Sequence, residues 1–165
     1  MSEKNKLRVE RKDVYEIEVN DKGETIVFYM GDVTLPLRMN KAYEEIDKIQ
    51  KWMKAQIVVI NKKKDYTEKG SAMSHNNKEI MKVYEKGFAD MRKAMDVFLG
   101  DGGCQKVFGD SDYLEMYDDL WEELTRKQED GLSHLDKMQL STKAITQRIE
   151  SKYQEIKKQR KAQAI

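Results

Sequence analysis

From Asn40 to the C-terminus, apolar residues recur at three- and four-residue steps, interrupted by glycines and by no proline. That pattern leaves room for little besides helices. With Asn40 as N-cap, the first stripe is Tyr43, Ile46, Ile49 or Gln50, Met53, Ile57 and Ile60, dissolving near Lys62-Lys63-Lys64. Gly70-Ser71 marks a linker. A second stripe opens near Asn76 or Asn77 and carries Ile80, Tyr84, Phe88, Met91, Met95 and Phe98 to a glycine stop at Gly100. After the glycine-rich connection through Gly109, Asp110 to Asp112 can cap a third helix bearing Tyr113, Tyr117, Leu120, Trp121 and Leu124. Beyond Gly131 a long fourth helix shows the thin seam Leu135, Met138, Ile145, Ile149, Tyr153 and Ile156 on an otherwise polar rod. A seam that narrow cannot fill a core, but it can pair with one other helix.

The N-terminal quarter has a different period. Tyr15, Ile17 and Val19 alternate with Glu16, Glu18 and Asn20, as in a half-buried strand. Asn20-Asp21-Lys22-Gly23 reads as a turn, and Thr25 to Met30 as a second strand. Val33, Leu35 and Leu37 alternate as well. Pro36, which cannot donate to a ladder, places this third strand at an edge. The expectation is an α+β fold: an N-terminal three-stranded antiparallel meander followed by a helical bundle and a long C-terminal helix. Residues 1–12 form a flexible basic tail, 13–130 the folded domain, and 131–165 a long, partly exposed C-terminal helix.

Charged residues make up 37% of the 165-residue chain and mean hydropathy is -0.85, more polar than one compact fold requires, so part of the chain should lie outside the core. A net charge of +1 gives no global field toward nucleic acid or a membrane. One cysteine, Cys104, excludes an internal disulfide and suits a reducing compartment. Met1 to Lys12 lacks the apolar run of a signal peptide, and no stretch approaches about 20 apolar residues. The expectation is a soluble cytoplasmic chain with no membrane partner.

Catalytic chemistry finds little support. His75, His134 and Cys104 have no second ligand at metal spacing, and no base is indicated for the thiol. Gly100, Gly102 and Gly103 suggest a phosphate loop. However, Gly103 is followed by Cys104 and Gln105 instead of Lys and Ser or Thr, and a helix precedes the glycines where a dinucleotide site needs a strand. The acidic stretch Asp110, Asp112, Glu115, Asp118, Asp119, Glu122 and Glu123 fails as a calcium loop because Leu114 and Glu115 stand where an oxygen ligand and a glycine belong. It reads as a solvated face, or as a surface complementary to a basic partner, including the chain's own tail. Lys152, Lys157, Lys158, Arg160 and Lys161 make the C-terminal end basic. They suit the negative end of a helix dipole or, as a lesser reading, contacts to phosphates. No enzyme, cofactor or metal site is expected, and protein binding is.

One segment is more specific. Met95-Asp96-Val97-Phe98-Leu99-Gly100-Asp101-Gly102-Gly103-Cys104-Gln105-Lys106-Val107-Phe108-Gly109 resembles a signature of tail assembly chaperones from phages and prophages of Gram-positive bacteria. In that family a helix ending in Phe and Gly meets a glycine-bearing loop, a Lys-x-Phe-Gly element and an acidic helix. The run from Tyr15 to Phe28, and Leu35-Pro36-Leu37 before Asn40 to Tyr43, are similar to the start of those proteins, so the resemblance covers about residues 13 to 130. It implies a non-enzymatic protein that holds the tape measure protein soluble and brings tail tube subunits to it. Such a protein acts in the bacterial host cytoplasm and is absent from the finished virion, and self-association is compatible with this role. Phe98, Gly100, Gly102, Gly103, Lys106, Phe108 and Gly109 are then a structural loop signature. Ile145, Ile149, Tyr153 and Ile156 are the candidate partner-binding seam. The ten methionines suit adaptable surfaces, although Met53, Met91 and Met95 fit simple core filling as well.

Overall fold

A computed structural model describes residues 4–164. Two strands, β1 (Val14–Glu18) and β2 (Thr25–Tyr29), precede five helices: α1 (Leu35–Asn61), α2 (His75–Leu99), α3 (Gly103–Phe108), α4 (Met116–Thr125) and α5 (His134–Gln163). Met1 to Glu3 of the basic tail lie outside the described residues; residues 4–12 carry no regular secondary structure.

The strands pair antiparallel with Tyr15 opposite Phe28 and Ile17 opposite Ile26. Directly opposed residues share a face, so these four make one apolar side. Ile26 and Phe28 are buried in the core, while Glu16 and Val27 face solvent. The turn forms because the Asn20 carboxamide oxygen accepts the N–H groups of Lys22 and Glu24.

The expected three-stranded meander is not present. The sheet has two strands, 61% of the described residues are helical, and residues 35–37 begin α1. Pro36 occupies the first turn of that helix. There its missing N–H costs nothing and its fixed φ suits the helix. Asp32 prepares the start by accepting the Thr34 N–H at 2.9 Å and the Thr34 hydroxyl at 2.7 Å, and Arg38 closes onto the same carboxylate. The short alternation of Val33, Leu35 and Leu37 lost to a longer helical one. Leu35, Met39, Ala42 and Ile46 are all buried, whereas Val33 and Leu37 are about half exposed. Asn40, expected as the cap, lies on the exposed side of α1 and donates to Glu44.

Helices α1 and α2 run antiparallel, with Lys63 bonded to Glu79 near their connected ends. Helix α2 starts at His75, next to the expected opening, and Ser74 caps it by accepting the Asn77 N–H. Asn76 is instead buried and donates to the Lys63 carbonyl across the connection. The sheet leans on the far end of this hairpin, where Phe28 stacks on Phe98 at 5.0 Å. Buried Met39, Met53, Met91, Met95, Met116 and Met138 fill the core between the elements. The core reading of Met53, Met91 and Met95 thus describes their positions.

Candidate protein-binding surface

The glycine-bearing segment is a corner. Gly100 (φ 93, ψ 164) and Gly109 (φ 71, ψ -153) bracket α3 in backbone conformations open essentially to glycine alone. Between them the Asp96 carboxylate accepts the Cys104 N–H at 2.8 Å and tethers the start of α3 to the end of α2. Gly103 is excluded from larger residues by contact instead of by φ: a Cβ there would stand 2.5 Å from Leu99 Cβ. Lys106 spans back to the sheet, its Nζ donating to the Thr25 carbonyl at 3.2 Å while its own carbonyl accepts from Asn20 at 3.0 Å. Phe108 sets its ring edge-on to Tyr117 at 5.6 Å. The seven residues of the signature therefore gather at one corner where hairpin, sheet and α4 meet. Each has a packing, hydrogen-bonding or backbone reason to be there.

Cys104 is buried, with its Sγ 3.6 Å from the Arg92 carbonyl oxygen. Burial, with the Asp96 carboxylate adding to it, pushes the thiol up to about 12, so it stays a protonated thiol at neutral pH. His75 stacks on Tyr66 and pairs with Glu79. His134 lies 119 positions from Tyr15 and shares a 2.5 Å hydrogen bond with its hydroxyl. Among the described residues, no group of three or more His, Cys, Asp or Glu is placed to hold a metal ion. Likewise, no helix there is long and apolar enough to cross a membrane.

Helix α5 divides into a root and a tip. Ser133 caps it through a capping box with Asp136, each side chain bonding the other's backbone N–H. Met138 is buried in the core, and Ser141 donates to the Met30 carbonyl at 2.6 Å. Ile145 is also buried, beside the chain segment 10–13. From Thr146 to Ala164 every residue is exposed. The four seam residues are therefore not equivalent. Ile145 belongs to the root, whereas Ile149, Tyr153 and Ile156 are 59%, 63% and 49% exposed beyond the last buried residue of the helix. At 3.6 residues per turn those three fall within about 60° of arc.

A second apolar feature escaped the sequence reading. Ile17, Val19, Val107, Leu120 and Leu124 line a groove of about 280 Å³ whose acidic residues are Glu18, Asp119 and Glu123. The Leu120–Leu124 step on an acidic helix was readable, but the strand and α3 walls come from distant positions that no local pattern links. Asp112, at the head of the same acidic stretch, takes the Arg92 guanidinium at 2.7 Å. Comparison with known protein families, curated proteins and solved structures returned no match.

Proposed function

We propose that this protein is a non-enzymatic tail assembly chaperone of a phage or prophage, working in the bacterial host cytoplasm and absent from the finished virion. Its role is to hold the elongated, helix-rich tape measure protein soluble and to bring tail tube subunits to it. The observation that carries the reading is the tip of α5, which exposes Ile149, Tyr153 and Ile156 on one arc of an otherwise polar helix. The resemblance of residues 95–109 to the tail-chaperone signature names the client. An apolar arc on a helix gains most by lying against a second helix, the geometry that a long helical client offers. High charge on the remaining faces keeps the carrier in solution.

The test is co-expression with the tape measure protein of the phage or prophage that encodes this chain. The wild type should raise the soluble yield of the client. Burying one such side chain is worth about 1.5–3 kcal/mol, so replacing two costs more than tenfold in affinity. The pair Ile149→Asp and Tyr153→Asp should therefore abolish capture while the body stays folded. Equal rescue by both forms removes the seam from the mechanism, and no rescue by the wild type overturns the chaperone reading. A basic-tailed nucleic-acid-binding regulator is the competing function, favoured by the exposed Lys152, Lys157, Lys158, Arg160 and Lys161. It predicts binding to DNA or RNA that falls steeply with salt, because phosphate contacts release counterions.

A further inference from the structure

We infer that the free protein is a dimer in which the α5 tip of each copy lies in the apolar groove of the other. The argument begins with charge. Residues 110–123 carry seven carboxylates and no Lys or Arg, and Glu18 adds another at the groove. Residues 146–164 carry six cations, Arg148, Lys152, Lys157, Lys158, Arg160 and Lys161, against Glu150 and Glu155. Their placement matters more than their number. Viewed down the helix, Lys152 and Lys157 border the Ile149–Tyr153–Ile156 arc about 70° to either side and Arg160 lies on it. Glu155 is turned to the far side, leaving Glu150 as the one carboxylate beside the arc. An apolar ridge with basic flanks thus faces an apolar groove with acidic flanks, the complementarity that sets partner and register. A groove of about 280 Å³ is just under the usual range of small-molecule pockets, about 300–1,000 Å³, and suits inserted side chains.

The occupant cannot be the chain's own tip. His134, at the start of α5, is itself a wall of the groove, and Ile149 lies fifteen residues further along an unbroken helix. That is about 22 Å at 1.5 Å per residue. The tip can reach a groove only on a second copy, and reciprocal insertion about a two-fold axis satisfies both tips and closes the assembly. The dimer covers the seam when no client is present. It concerns the free protein and does not depend on what the client is.

Sedimentation of the full chain tests this. The wild type should be dimeric at tens of micromolar and lose roughly tenfold or more in association between about 0.05 and 0.5 M salt, since the flanking charges are exposed and screened. Asp119→Lys with Glu123→Lys, and separately Ile149→Asp with Tyr153→Asp, should each give monomers with unchanged helical circular dichroism. Mixing the two variants should restore a heterodimer, because one groove and one tip remain intact between them. A monomeric wild type overturns the inference, as does a mixture that stays monomeric. A dimer that survives the groove changes but not the tip changes also overturns it, assigning the contact to α5 paired with α5. Client rescue by the groove variant separates the two proposals, since its tip is untouched.

Discussion

Met53 of α1 and Gly87 of α2 meet so closely that a Cβ at position 87 would stand 2.2 Å from Met53 Sδ and 2.6 Å from its Cγ. The two helices approach here because position 87 has no side chain, and both residues are buried.

Gly87→Ala therefore sets two effects against each other. Alanine gains about 1 kcal/mol in helix propensity, while overpacking a filled site costs about 1–3 kcal/mol. The clash reaches Cγ, near the root of the Met53 side chain, so the whole side chain must move and the net change should be a loss of about 1 kcal/mol. In a Met53→Ala background the clash is gone and the same replacement should stabilise. Urea unfolding of the four proteins measures the coupling, and a higher midpoint for Gly87→Ala alone would show that the contact yields freely.

The corner glycines should differ by mechanism. Gly109→Ala forces a non-glycine residue into a glycine-only region and should cost about 1–3 kcal/mol. Gly103→Val should cost a similar amount through Leu99, although its own φ is ordinary. Cys104→Ser should leave client capture intact. A folded Cys104→Ser protein that fails to rescue the client would mean that the thiol does more than pack.

Such contacts mark the limit of what the sequence disclosed. The stripes of α1, α2, α4 and α5 and the first hairpin are local periodicities, and they could be read. Helix α4 nevertheless begins at Met116, past the expected cap at Asp110 to Asp112 and past Tyr113. Pro36 was misread because a three-residue alternation and the first turn of a helix look alike until Met39 and Ala42 are counted with Leu35. Gly103–Cys104 read as connection because α3 is too short to show a period. Its helix depends on the Asp96 carboxylate, which no propensity records. The tip residues Ile149, Tyr153 and Ile156 were visible as a seam. That Ile145 is packed away from them depends on residues 10–13, 132 to 135 positions upstream.

Truncation locates the boundary between root and tip. A chain ending at Gln147 keeps Met138, Ser141 and Ile145 and should show the full-length cooperative thermal transition. A chain ending at Gly131 loses the buried Met138 and the Ser141 bond to Met30. Losing a buried methionine alone costs about 2–5 kcal/mol, so that transition should fall or broaden. Equal transitions for both chains would mean that α5 contributes nothing to the core.

Acid should loosen the same root. Burial first, and then the nearby Lys137, hold the His134 imidazole below its ordinary value of 6.5. The unfolded chain therefore takes up a proton before the folded one does. Stability falls as pH drops through 6.5 and levels off once the folded imidazole titrates. The protonated ring can only donate to the Tyr15 hydroxyl, which must then act as acceptor. Thermal unfolding between pH 7.5 and 5 should show the decline in the wild type and a flatter profile in His134→Gln. Identical profiles would assign the pH dependence elsewhere.

The division of α5 into a packed root and a bare tip makes it a lever. From Ile145 to Gln163 the helix extends about 27 Å beyond its last buried residue. A tilt of only about 10° at the root carries the far end through roughly 5 Å, about the rise of one helical turn. Small rearrangements around Met138, Ser141 and Tyr15 are thereby magnified at Tyr153 and Ile156. The packing beneath α5 sets where in space its apolar arc is offered.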